Sequence, residues 1–232
     1  MKFTTGVKSI DSLLSGGIET GVITHVYGAF GTGKSILAQQ ICVTVLKDSR
    51  KNDSVIYMDT EGSFNPKRIS KIAFRFGLDY GVLKRILYKR IWSLDEQELF
   101  LKLSEDYIYR FNAKLLVIDC IATHIRGEFN QDVLILRQTR LESILNKLLD
   151  MCTNYDVAAL VTNQLTSGPD SSGEKYVEKP VGGNLIAKFC KCSIRLYRLK
   201  EKRYASLDDS IDVDSNFAPF VIKEDGIHDE NG

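Results

Sequence analysis

The residues with the most defined chemistry are Gly28-Ala29-Phe30-Gly31-Thr32-Gly33-Lys34-Ser35. Glycines at the first, fourth and sixth positions free the backbone to turn tightly, so that successive N–H groups can point at one anion. Lysine and serine follow directly. An ammonium there reaches the β- and γ-phosphates of a nucleotide, and a hydroxyl there ligates Mg²⁺. Every fixed position of the phosphate-cradling pattern G-x-x-x-x-G-K-[ST] is filled. Context agrees: Val22–Tyr27 is a short apolar, β-branched run, and Ser35–Lys47 is a glycine-free helical pattern. A helix starting at the loop adds the positive end of its dipole.

Three further polar residues close apolar runs downstream. Leu115–Ile118 ends at Asp119, the usual form of a carboxylate on the far side of a nucleotide-bound Mg²⁺. Glu61 follows the run Ser54–Met58, where a carboxylate could orient and deprotonate an attacking water. The alternative reading is a charge at a helix entry. Gln164 closes Val157–Val161 and could sense a γ-phosphate through a hydrogen bond, or simply cap the end of a strand.

The elements that must position these residues are legible in outline. Thr5–Leu14 reads as a short helix closed by Gly16-Gly17. Asn65 as cap and Pro66 at the first helical position start a helix to about Phe76. Ile86–Ile91 is a weak strand, and Ser93-x-x-Glu96 is a capping box opening a helix to about Phe111. A polar gap at Gly127–Asp132 leads into a long amphipathic helix, Val133–Asn154. Strands alternating with helices in this rhythm predict an α/β fold: one mostly parallel twisted sheet with helices on both faces. Ligands then gather at the carboxyl ends of the strands, where Glu61, Asp119 and Gln164 fall. Ser167–Gly183, rich in glycine, serine and proline, reads as a mobile segment. Ile194–Leu199, Tyr204–Leu207 and Phe217–Ile222 read as an antiparallel extension on one edge.

At 232 residues and 44% hydrophobic, residues 1–232 are expected to form a single domain. No apolar run approaches the ~18 residues of a membrane span, and MKFTTG has no signal-peptide character. The expected location is therefore cytoplasmic. Cys42, Cys120, Cys152, Cys190 and Cys192 are scattered through apolar segments and read as free thiols. Net charge is only +1 but unevenly spread: eight Lys/Arg against one acid over Asn65–Ile91, seven against one over Ala187–Tyr204, and one Lys against eight acids over Ala205–Gly232. The basic stretches could face nucleic acid, or pair with the acidic tail.

Beyond its phosphate loop, the chain carries TTGVKSIDSLLSGGIETG, YMDTEGSFNPKRI, LLVIDCIATHIR, Arg137-Gln138, LVTNQ, KPVGGN and SIRLYRL. With these it resembles the RecA/RadA recombinase family over nearly its whole length, and within that family the short archaeal paralogues. The resemblance implies a RecA-like ATPase core using ATP and Mg²⁺, with a role in homologous recombination and DNA repair. It implies Lys34 and Ser35 at phosphate and metal, Asp119 at Mg²⁺ through water, Glu61 as activator of water and Gln164 as nucleotide sensor. Arg68 takes the position that stacks on adenine. Arg126 opens the family's first DNA-binding loop, Arg126–Leu136, and Leu165–Gly183 resembles the second, closing with Gly182-Gly183-Asn184. Those loops hold single-stranded DNA by phosphate contacts.

Departures from the family shape the rest of the expectation. The sequence begins at the ATPase core, without the family's N-terminal helical domain or its polymerisation linker, and Asp209-Ser210 is followed by Ile211 where the family's ATP-capping stretch has proline. The expected activity is thus a weak DNA-dependent ATPase that assists a full-length RadA-type recombinase, with self-association as a homo-oligomer open. Two alternatives are a nucleotide-switched adaptor with negligible hydrolysis and a RecA-fold signalling kinase of the circadian-clock type. TNQ and PVGGN argue against the kinase.

Overall fold

The structure is a computed structural model describing residues 1–125, 131–169, 176–207 and 217–230. In chain order its elements are β1 (Lys2–Phe3), α1 (Lys8–Leu13), β2 (Ile18–Glu19), β3 (Ile23–Gly28), α2 (Lys34–Asp48), β4 (Ser54–Asp59), α3 (Pro66–Arg75), β5 (Ile86–Arg90), α4 (Leu94–Phe111), β6 (Ala113–Asp119), α5 (Gln131–Tyr155), β7 (Ala158–Pro169), β8 (Tyr176–Pro180), α6 (Gly183–Phe189), β9 (Cys190–Leu199), β10 (Lys202–Ser206), β11 (Phe217–Lys223) and β12 (Gly226–Asp229). Short 3₁₀ turns cover Tyr80–Arg85 and Thr123–Ile125.

The main sheet runs β12-β11-β10-β9-β3-β7-β6-β4-β5. From β9 to β5 every neighbouring pair is parallel, and from β9 outward to β12 every pair is antiparallel. Alternate side chains of the inner strands feed two cores. Val26, Tyr57, Val117 and Leu160 pack against α1, α2 and α3 on one face. Ile23, Ile56, Ile118 and Val161 pack against α4, α5 and α6 on the other. Such strands are hidden on both faces, which is why they read as continuous apolar runs.

Local chemistry sets the helix boundaries. Asn65 Oδ1 accepts the Arg68 N–H at 3.0 Å ahead of Pro66, which starts α3. Ser93 Oγ accepts the Glu96 N–H at 3.1 Å, while Glu96 Oε2 reaches back to the N–H of Trp92 at 2.8 Å. Helix α1 has no cap of its own, and the carboxylate of Asp229 in β12 takes its place, accepting from Lys8 N at 3.0 Å and Ser9 N at 2.9 Å.

Where it is described, the segment expected to be mobile carries regular secondary structure. β7 does not stop at Gln164. It pairs with β3 up to Gly28↔Gln164, then leaves the parallel sheet and runs on to Pro169 as one arm of a hairpin with β8. α6 follows immediately at Gly183. Likewise, residues 131–136 of the expected first loop belong to the first turns of α5. The five cysteines are free, as expected. Among the described residues no helix is long and apolar enough to cross a membrane.

Candidate nucleotide site

The glycine loop joins β3 to α2 and its geometry excludes side chains where the sequence has none. A Cβ at Gly28 would stand 2.1 Å from the Leu196 carbonyl oxygen. Gly31 and Gly33 sit in the left-handed region, with φ of 77° and 109°, and Gly33 caps α2. The Phe30 ring is 93% exposed at the loop tip. Thr32 Oγ1 donates to the Ala29 carbonyl at 2.9 Å, tightening the turn. Lys34 is buried, its Nζ donating to the carbonyls of Gly28 at 3.0 Å and Ala29 at 2.9 Å, so its charge is held within the loop.

Asp119, at the carboxyl end of β6, is buried and fully engaged. Oδ1 accepts from Ser35 Oγ at 3.1 Å and Thr162 Oγ1 at 2.5 Å; Oδ2 accepts from Tyr57 OH at 2.7 Å and Ser63 Oγ at 2.5 Å. Four hydroxyl donors fill the roughly four lone-pair positions of a carboxylate, and they make burial of the charge tolerable. Burial, with the Asp119 charge beside it, pushes the Tyr57 phenol well above its ordinary range, so it remains a donor. The Asp119–Cys120 peptide bond is cis.

Glu61 lies in the turn between β4 and α3, one strand over. Gln164 Nε2 donates to Glu61 Oε1 at 2.5 Å, and Thr123 Oγ1 lies 3.4 Å from the same oxygen. The turn is shaped by Asp59: its Oδ1 accepts the N–H groups of Glu61 at 3.1 Å, Gly62 at 2.6 Å and Ser63 at 3.1 Å, and its Oδ2 accepts Phe64 N at 3.1 Å.

Thr162-Asn163-Gln164 divides its labour. Thr162 goes to Asp119, Gln164 to Glu61, and Asn163 Nδ2 to the Val181 carbonyl at 2.8 Å, just ahead of Gly182-Gly183-Asn184. Thus Lys34, Ser35 and Asp119 come together, with Glu61 and Gln164 on neighbouring strand ends. Arg68 is half-buried on α3, with its backbone N–H in the helix cap. Gly182, Gly183 and Asn184 lie elsewhere. They line an open cleft of about 760 Å³ together with Gln138, Lys179 and Lys188, against the face of β3 that carries His25 and Tyr27. Arg126 and Asp209-Ser210-Ile211 lie outside the described residues.

Sequence reasoning missed Tyr57, Asp59, Ser63 and Thr162. Asp59 had a visible signal, a carboxylate two residues before Glu61 and three before a glycine, the spacing of a side chain that folds a turn around itself.

The donors suit a nucleotide with its metal. A glycine loop with no room for a Cβ at Gly28 and positive φ at Gly31 and Gly33, one buried ammonium, and one hydroxyl beside one carboxylate suit phosphates with Mg²⁺, which is held by one or two protein oxygens plus phosphates and water. Among the described residues there is no cluster of three or more His, Cys, Asp or Glu side chains that could hold a metal alone.

A mostly parallel sheet of this order, with a glycine loop between a central strand and its helix, defines a RecA-like core. The Rad51 family model matches residues 1–230, and the chain belongs to that family. It is 36% identical to the Meiotic recombination protein DMC1 homolog of Arabidopsis thaliana over 99% of this chain and 69% of that protein. It is also 36% identical to the Meiotic recombination protein DMC1/LIM15 homolog of Mus musculus, over 97% and 69%.

Proposed function

We propose that this chain is an ATP- and single-stranded-DNA-binding protein of homologous recombination and repair, of the archaeal RadB type, that hydrolyses ATP slowly and assists a RadA-type recombinase. The observation that carries it is the junction of Ser35 with Asp119 at 3.1 Å beside the joined pair Glu61 and Gln164. Lys34 would neutralise phosphate charge, Ser35 would ligate Mg²⁺, and Arg68 would lie against the base. Mg²⁺ supplies Lewis-acid charge neutralisation when bound. Because Asp119 is saturated by hydroxyls, it would act on the metal through water rather than by direct ligation. Glu61 would orient and deprotonate water, and Gln164 would register the γ-phosphate. DNA would be held by Arg126 and by the cleft at Gly182-Gly183-Asn184, with Lys179 and Lys188 supplying charge to phosphates.

A second reading, a nucleotide-switched adaptor with negligible hydrolysis, is favoured by the Gln164 amide that occupies Glu61 Oε1. ATP turnover measured with and without single-stranded DNA, beside a pull-down of a RadA-type recombinase, separates the two. Measurable turnover lost in Glu61→Gln supports the ATPase; recombinase capture with no turnover supports the adaptor. DNA affinity should fall steeply with salt and ignore sequence, and salt-insensitive binding would rule out the phosphate-dominated mode.

A further inference from the structure

The turn that carries Glu61 is folded around a buried carboxylate, and the charge partner of that carboxylate comes from the edge of the sheet. Asp59 is fully buried, with four consecutive N–H groups, Glu61 to Phe64, converging on its two oxygens. Among the described residues its one ion pair is with Arg90, the last residue of β5 and its register partner across the β4–β5 ladder. Arg90 NH1 lies 3.4 Å from Asp59 Oδ1 and donates to the Asp59 main-chain carbonyl at 2.8 Å. The guanidinium also lies against Gly62, φ 79°, where a Cβ would stand 3.7 Å from its central carbon. Trp92 also packs against the guanidinium, its ring centre 4.5 Å away, and is 72% exposed. Two residues earlier on β5, Tyr88 stacks on Phe64 at 4.3 Å, with its hydroxyl 3.4 Å from Asp59 Oδ2.

We propose that Arg90 is a positioning residue for Glu61, holding the Glu61–Phe64 turn in register through Asp59, with Trp92 keeping the guanidinium in place from the solvent side. This rests on the reading of Glu61 as the group that activates water. The physical reason is a balance of charge. Removing the cation leaves a buried carboxylate with donors but no countercharge, the costly half of a broken pair. The turn can relieve that cost only by opening to water, and opening moves Glu61. A displacement of about 1 Å at a reacting group is enough for a 10²-fold loss of rate. Lys34 is held by the Gly28 and Ala29 carbonyls, outside this turn, and the turn reaches Ser35 only through Ser63 and Asp119, so nucleotide affinity should fall far less than turnover.

The test compares the intact protein with Arg90→Ala, Arg90→Lys and Glu61→Gln, using ATP with Mg²⁺ and single-stranded DNA. Arg90→Ala should lower turnover roughly 10- to 100-fold while the dissociation constant for ATP changes less than about threefold. Arg90→Lys, which keeps the charge and one donor to the Asp59 carbonyl, should recover part of the rate. A second readout needs no turnover: amide hydrogen exchange at Glu61–Phe64 should quicken at least about tenfold in Arg90→Ala, with β4 and β6 amides unchanged. Parental turnover in Arg90→Ala, parental exchange in the turn, or a loss of ATP affinity matching the loss of rate would each overturn the proposal. Turnover unaffected by Glu61→Gln would instead refute the assignment of Glu61, and exchange in the turn would still decide whether Arg90 holds it.

Discussion

The amide of Gln164 donates to the carboxylate of Glu61 at 2.5 Å, joining two residues 103 positions apart. Gln164 is the last β7 residue paired with β3, and beyond it the strand leaves the sheet as the arm of a hairpin. One contact therefore links the site of the candidate base to the segment that leads to Gly182-Gly183-Asn184. Through Asn163 and the Val181 carbonyl the same strand end is also tied to the approach to α6, one residue before its Gly182 cap.

Glu61→Gln should preserve nucleotide affinity and cut hydrolysis by about 10²- to 10⁴-fold, the range for loss of a general base. Steady-state turnover beside a fluorescent-nucleotide titration measures both quantities. Parental turnover in the variant would remove Glu61 from the chemistry.

Lys34→Ala should act on binding. The ammonium already sits within the loop on two carbonyls, and a phosphate would offer it a charge-assisted bond of about twice the strength of a neutral one. Affinity for ATP should fall by roughly an order of magnitude or more, read by calorimetry.

Thr162→Val keeps the shape of the side chain and deletes one of four donors to a buried carboxylate. The loss should be about 1–3 kcal/mol, or roughly 2–12 °C in melting temperature for a chain of this size. Thermal unfolding checks it; an unchanged melting temperature would mean that Asp119 does not need all four hydroxyls.

Asp229 gives a pH dependence with a defined sign. Its partial burial would raise the carboxyl pKa, but the N–H and hydroxyl donors of Ser9 and the N–H of Lys8 outweigh it, so the pKa is lowered. The stabilisation is therefore complete above the unfolded value near 3.9 and is lost as pH falls towards the folded one. Asp229→Asn, left with one acceptor oxygen for two N–H groups, should cost about 1 kcal/mol at pH 7. In urea titrations that difference from the parent should shrink as pH falls below about 3.9. A difference that persisted there would deny the carboxylate its role as cap.

What the sequence made legible was whatever a short window determines. The glycine loop, the caps at Asn65 and Ser93, and the apolar strand ending in Asp119 are each local statements, and each element stands within a few residues of its expected place. The hydroxyls around Asp119 are not local: Thr162 reaches it only because β6 and β7 are neighbours in the register Ile118↔Val161, and Tyr57 only because β4 flanks β6. The β1–β2 pair of two residues each is too short for any periodicity to register. The extension of β7 past Gln164 was hidden by glycine and proline, which read as loop signals yet here belong to a hairpin outside the main sheet. The site-bearing role of Asp59 lies in the backbone of the turn that wraps it, including the left-handed Gly62.

The helix after the phosphate loop carries one more long-distance dependence. Gln40, buried midway along α2, accepts the N–H of Ile227 in β12 at 2.8 Å and donates to the Thr5 carbonyl at 2.9 Å. The polar seam of α2 is thus closed by β12, across 187 residues, and contacts of such separation form late. Refolding should accordingly be biphasic: ellipticity at 222 nm recovers early, and the capacity to capture a fluorescent nucleotide arrives with the slowest phase. Simultaneous recovery of the two signals in stopped flow would show that the phosphate loop matures without β12.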